Sequence, residues 1–227
     1  MRLGRRIFTN LRRALTYITA IHIPLAGLAL APILLGLPPL LFPMHVVLME
    51  LAIDPICALV FEAEPSEAAA MTRPPRRPDE ALFGWRQIGV ALAQGLAVLA
   101  AVLAVYIWAL GAYSEDVARG GAFAALLLGN LTLALADSAT SGRLFAPHRR
   151  TYWIITAAVV GALILIFSVP AFAGVFKVAR PDLRLALVSV TAAGLSGGWI
   201  ALAVRLRRAF SARKSSARPP LEAAASG

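Results

Sequence analysis

The sequence predicts an all-α, polytopic membrane helix bundle of about six transmembrane helices with both termini cytoplasmic, and three observations lead there. Of 227 residues, 59% are hydrophobic and only 15% charged, and the mean hydropathy of +0.74 is too apolar for an ordinary soluble domain. Apolar stretches recur at the length needed to cross a hydrocarbon core of roughly 30 Å. The basic residues fall between those stretches on alternate sides.

The stretches run from Ala14 to Leu35, Leu40 to Phe61, Ile88 to Leu110, Gly121 to Ala136, Tyr152 to Val175 and Leu185 to Val204. With the N-terminus inside, 18 of the 22 Lys and Arg residues lie on one side of the membrane. Basic loops resist translocation, so that side is the cytoplasm. Only Arg119, Lys177, Arg180 and Arg184 remain opposite, and the turn Gly36-Leu37-Pro38-Pro39 carries no charge. The first stretch is too long for a signal peptide, contains Pro24 and Pro32, and is expected to stay as a span. The expected organisation is a basic cytoplasmic stalk start at 1–13 and a transmembrane domain at 14–206 with a cytoplasmic loop at 62–87. A disordered cytoplasmic tail is expected at 207–227, where Gly, Ser, Ala and Pro dominate from Ser215.

A net charge of +10 and a pI near 11.1 would suit nucleic acid in isolation, but charge that flanks spans orients the chain and meets anionic headgroups. The partner it implies is the lipid bilayer and not nucleic acid. Trp85, Tyr113, Tyr152 and Trp153 sit at segment ends, as interfacial anchors do. The lone Cys57 excludes an intrachain disulfide and reads as a small packing residue.

Chemistry concentrates in the second stretch. An acid at mid-membrane costs about 2.5 to 3.5 kcal/mol on insertion scales, and this stretch holds two, Glu50 and Asp54. Four residues apart on a helix, they share a face and repel unless a cation or proton lies between them. Pro55 cannot donate to the carbonyl of Leu51, so a kink or unwound turn is expected beside the acids. Pro24 should likewise free the carbonyl of Ala20 beside His22. At about 1.5 Å per residue, Asp54, Glu50 and His22 lie about 10, 16 and 12 Å inside the cytoplasmic edge, with Asn130 near the middle of the fourth stretch. These four are the candidate cation ligands. Helix packing is the competing role for the acidic pair, and interhelical hydrogen bonding for His22 and Asn130. Asp137 is expected to face headgroups or a basic loop, while Glu62 and Glu64 suit a vestibule or a solvated loop equally.

Gly4, Arg5, Ile7, Asn10 and Tyr17, a proline-bearing first span, the Leu-Pro turn, the Glu50 to Asp54 helix, Glu64-Pro65, Met71 and Arg73-Pro74-Pro75-Arg76 succeed one another in an order that resembles the C-terminal membrane half of P-type cation-transporting ATPases, nearest the calcium-pump-like type II branch. The resemblance is specific from Gly4 to Phe83; beyond that it rests on span number and Asn130. It implies that the six stretches are the fifth to tenth transmembrane helices of a pump and that His22, Glu50, Asp54 and Asn130 stand where relatives hold cation-coordinating side chains. Calcium pumps usually show Asn-x-x-Thr-Asp on the second of these helices, and a glutamate at the position of Leu25. Here the stretch reads Glu50-Leu51-Ala52-Ile53-Asp54, which leaves calcium, another divalent ion, a monovalent ion or proton-coupled exchange open.

These 227 residues hold no Asp-Lys-Thr-Gly phosphorylation motif and no Gly-Asp-Gly hinge. The expectation is therefore a transport portion that is not an active ATPase alone and has no cofactor of its own. Mg-ATP would be used only through domains outside it, which a separate chain could carry. A non-enzymatic membrane module and an unrelated six-span transporter are the alternatives. The latter predicts an internal repeat, yet Glu-x-x-x-Asp-Pro has no counterpart in the fifth stretch. The expected location is the inner membrane of a bacterium. Single cysteines placed between Arg73 and Arg77 should react with impermeant maleimide only from the cytoplasmic side; labelling from outside would invert the topology and remove the depth argument.

Overall fold

A computed structural model describes residues 2–63, 84–138 and 147–216, and among these all regular structure is helical. Eight α-helices occur in order: α1 (Arg2–Leu34), α2 (Pro43–Pro55), α3 (Phe61–Ala63), α4 (Trp85–Leu110), α5 (Glu115–Ser138), α6 (Arg150–Ser168), α7 (Pro170–Phe176) and α8 (Leu183–Ser216). Five described segments are long and apolar enough to cross a membrane: Arg6–Leu34, Pro43–Val60, Trp85–Leu110, Glu115–Ser138 and Arg150–Ser168. The sixth expected span, Leu185 to Val204, lies within α8.

Helix ends obey local chemistry. Gly36, at φ +69°, stops α1, and the amides of Gly36 and Leu37 bond back to the carbonyls of Ile33 and Pro32, the arrangement a left-handed glycine permits. The side chain of Gln87 accepts the amide of Gly84 at 3.1 Å and so helps start α4. That helix begins at Trp85, so the loop expected to reach 87 ends earlier; residues 64–83 of it lie outside the described part. Asp182 accepts the amide of Leu185 at 2.8 Å to cap α8.

Three expectations are corrected. The stretch from Tyr152 to Val175 is not one helix: α6 ends at Ser168, Val169 is extended, and Pro170 opens α7. Proline disfavours helix in the residue before it and fits the first helical position. The tail does not lose structure at 207, because α8 runs to Ser216; Arg, Ala and Lys there are strong helix formers. Residues 217–227 lie outside the described part. Finally, α1 continues through Pro24 with no break beside His22. The carbonyl of Ala20, which Pro24 cannot partner, lies against Gly95 of α4, where a Cβ would come within 2.4 Å of it. Close backbone approach at a small residue is the usual membrane packing device.

The central helix is α5. It packs on α4, α6 and α8 and is buried on almost every side. Its approach to α8 needs glycine: a Cβ on Gly197 would fall 2.6 Å from the carbonyl of Gly129. Ser189 of α8 donates to the carbonyl of Gly121 at 2.9 Å. Toward one end of the bundle, Arg12 and Arg13 of α1, Arg86 of α4 and Asp137 of α5 surround a common cavity. Arg119, Pro39 and Lys177 meet at the other end.

That second end is organised by a buried cation. Arg119, 3% exposed, donates from Nε to the carbonyl of Pro39 at 3.1 Å. Through its Nη1 it donates to Asp116 Oδ1 at 2.6 Å and to the carbonyl of Lys177. Its guanidinium stands 5.0 Å from the Phe42 ring centroid, and the Lys177 ammonium 4.6 Å from the same ring. Lys177 is left-handed at φ 48°, a conformation costing about 1–2 kcal/mol outside glycine. The turn it makes closes α7, the amide of Val178 reaching Ala173, and presents its carbonyl to Arg119. Replacing Arg119 with Gln should lower stability by about 3 kcal/mol, because buried carbonyls lose a charged donor. Arg119→Lys should recover little of it, since an ammonium lacks the planar fork. Thermal unfolding midpoints in detergent would check both.

Candidate cation site

The acids lie on α2, whose C-terminal end departs from regular α-helix. After Pro55 the chain enters a π-helical turn over Ile56–Val60 before returning to α-helix at Phe61. Pro55 removes one donor from the ladder, and widening of the next turn absorbs the mismatch. The expected distortion beside Asp54 is thus present, as a widened turn and not an unwound one.

The four candidate ligands do not converge. Met49, Ala52, Ile53 and Ile56 form the buried face of the second segment, at the spacing one helix face requires. Leu51 and Val47 are exposed on the far side, 69% and 57% respectively. Asp54 is exposed with them, and Glu50 is half-buried at the boundary. His22 is also exposed, its Nδ1 paired with the carbonyl of Ile18 at 2.7 Å. It lies five residues beyond the buried Tyr17, about 140° round the helix. Asn130, by contrast, is buried at 4% exposure, and neither atom of its amide has a hydrogen-bond partner. Among the described residues no three His, Cys, Asp or Glu side chains stand close enough together to hold a metal ion.

Asn130 faces the inner side of the second segment. With Tyr17, Met49, Ala52, Ile53, Ile56, Leu127 and Leu131 it lines a void of about 10 Å³, close to the smallest space that takes one water. Tyr17 donates to the backbone carbonyl of Asn130 at 3.4 Å and packs 5.3 Å from the Phe61 ring. Tyr152 of α6 donates to the next carbonyl, Leu131, at 2.9 Å. Two tyrosines from different helices therefore hold this stretch of α5 beside the π turn. Glu50 adjoins Met49, which reaches the void, so a turn of α2 by one residue, about 100°, would exchange them.

Several polar groups have no clear signal in the sequence. Gln94 of α4 is 1% exposed and donates to Asp137 Oδ1 at 2.7 Å, an interhelical bond inside the bundle. Asp137 thus reaches a cavity bordered by arginines, near the basic loop expected for it, but is anchored by a neighbouring helix. Its one sequence signal is the seven-residue step from Asn130, which returns to the same face of α5. His45 is fully buried; its Nδ1 accepts the amide of Phe42 at 3.0 Å and its ring packs edge-on to Phe123 at 4.4 Å. It anchors the start of α2.

Residues 38–206 match the family described as "Cation transporting ATPase, C-terminus". The chain is 30% identical over 107 residues to the calcium-transporting ATPase of Bacillus subtilis (strain 168), covering 45% of this chain and 12% of that protein. It is 29% identical over 118 residues to the probable cation-transporting ATPase F of Mycobacterium tuberculosis (strain ATCC 25618 / H37Rv), covering 52% and 12%. To the sodium/potassium-transporting ATPase subunit alpha of Drosophila melanogaster it is 35% identical over 105 residues, covering 45% and 10%. The matched stretches thus amount to about a tenth of those proteins.

The unpartnered amide of Asn130 yields a sharp expectation. A buried polar group without a partner costs about 1–3 kcal/mol, so Asn130→Leu should raise the unfolding midpoint in detergent. A lower midpoint would mean that the amide is satisfied in the folded protein.

Proposed function

The chain belongs to the cation-transporting ATPase C-terminal family, and from that premise we propose that it is the ion-translocating membrane portion of a cation pump, with Glu50 and Asp54 as its principal cation ligands. The observation that carries this reading is the outward acidic face of α2 immediately before the Pro55 π turn. Two carboxylates on a lipid-facing surface would each carry the insertion cost of an intramembrane charge, so that face needs protein, water or a cation against it. Other spans of a complete pump would cover it and supply the remaining ligands. Carboxylate oxygens together with the carbonyl of Leu51, which Pro55 cannot partner, form a hard-oxygen donor set suited to Ca²⁺, to another hard divalent ion or to a monovalent one.

His22 and Asn130 stand on other faces and would join only if the helices shift. The π turn is the natural place for such a shift, since widened turns recur at functional sites. Turning α2 there would bring Glu50 toward the void beside Asn130. The aspartyl phosphate that drives pumps of this class would form on domains outside these residues, in the same or a separate chain. A bacterial inner membrane remains part of the proposal.

The test uses this chain together with the ATPase half. Glu50→Gln and Asp54→Asn should each abolish cation-stimulated phosphoenzyme formation while leaving expression and membrane insertion unchanged. Wild-type ion dependence in both variants would remove the pair from the site.

A further inference from the structure

At the basic end of the bundle one interhelical contact is short of hydrogen, and the deficit points to a proton. Gln94 of α4 donates from Nε2 to Asp137 Oδ1 of α5 at 2.7 Å. That bond leaves two oxygens over, Asp137 Oδ2 and Gln94 Oε1, and both are buried without a hydrogen-bond donor. A carboxyl and a primary amide are planar forks of similar shape. Once one N–H···O bond joins them, rotation about their soft terminal torsions can bring the remaining oxygens side by side. A single proton on Oδ2 then serves both, because a protonated carboxyl gains one donor and Oε1 is an acceptor. Two unmet acceptors become one hydrogen bond.

The neighbouring charges pull the other way. Arg12 and Arg13 of α1 and Arg86 of α4 wall the cavity that Asp137 also borders, and a nearby cation favours the ionised acid. Tyr17 of α1 lies within electrostatic reach but donates to the carbonyl of Asn130. Arg149, leading into α6, donates to the carbonyl of Ser138. The charged side chain described on α8, Arg184, stands at the opposite end. None of these gives a hydrogen bond to Oδ2, and a charged oxygen buried without a donor is the costlier of the two states. We propose that Asp137 takes up a proton on Oδ2 and returns it as a hydrogen bond to Gln94 Oε1, making the contact between α4 and α5 a proton-sensitive latch at the cytoplasmic end. Burial of Oδ2 does not bar the proton. Asp137 as a whole is half-buried at the wall of the cavity, and its head can turn to present either oxygen. Losing the proton orphans both oxygens again and adds a charge, so the latch loosens as pH rises. The cation ligands of α2 play no part in it.

Asp137→Asn is a permanent copy of the protonated pair, its Oδ1 accepting from Gln94 and its Nδ2 donating to Oε1. The intact chain and this variant, purified in detergent, would be unfolded thermally between about pH 5 and about pH 9. The midpoints should coincide at the acid end. As pH rises, the unaltered chain should fall about 3 °C below the variant, the shift of one lost hydrogen bond in a chain of this size. A variant less stable than the unaltered chain at neutral pH, with the gap closing on acidification, would overturn the proposal, because it marks a carboxylate held by the arginines. So would a gap that does not change with pH, or a variant that fails to fold, since it reproduces the proposed pair. Infrared spectra of the unaltered chain, grown with isotope-labelled aspartate, give an independent reading. The carbonyl stretch of a protonated carboxyl should be present at about pH 6, where an ordinary aspartate has lost its proton, and absent from Asp137→Asn. Carboxylate bands alone at that pH would overturn the proposal as well.

Discussion

Arg119 is the interaction on which the extracytoplasmic end depends. Three connections converge there: the turn after α1, the first turn of α5 and the end of α7. The first of these is short of backbone donors, because Pro38 and Pro39 carry no amide hydrogen. Tyr106 supplies the carbonyl of Pro38 at 2.9 Å, and Arg119 the carbonyl of Pro39. With its remaining donors Arg119 reaches Asp116 and Lys177, while the amide of Ala179 bonds the carbonyl of Asp116 at 2.9 Å. A cation at that end runs against the charge rule that orients the chain, and its hydrogen bonds explain why it is tolerated there. It serves the fold and not the topology.

Behind that clamp, α5 acts as a spine whose two ends have opposite characters. Its first turn is charged and closed, its middle carries Asn130, and its last turn carries Asp137 bonded to Gln94. Packing along it relies on small residues such as Gly197 that bring backbones close, as expected where lipid tails offer no hydrophobic drive between helices. The second segment is tethered differently. His45 and its aromatic neighbours Phe123 and Phe176 fasten its beginning, Tyr17 and Phe61 fasten its end, and the π turn lies in between. The acids of α2 thus lie between an aromatic anchor at its start and a widened turn at its end.

Much of this was legible in the residues. Hydropathy marked the spans, because an apolar run of the right length has few alternatives in water. The distortion after Asp54 came from Pro55, whose missing donor is a covalent fact. The same logic fails at Pro24, where a neighbouring glycine lets another helix cover the freed carbonyl and α1 stays continuous. It holds again at Pro170, where the chain breaks inside an apolar run long enough to pass for one span. Whether a proline interrupts a helix depends on what packs against it, and one segment's sequence does not carry that information.

The sequence by itself determined the class of molecule, the place and order of most apolar helices, and the presence of two costly acids on one helix. Each comes from composition or from spacing within a single element. Only the tertiary structure decided which way those acids face, that His22 and Asp54 are exposed while Asn130 is buried beside an inner void, and that Arg119 and the pair Gln94 and Asp137 link distant segments. Facing is set by the rotation of one helix against another. That rotation is chosen by glycine contacts, tyrosine hydrogen bonds and aromatic packing between residues up to 113 positions apart.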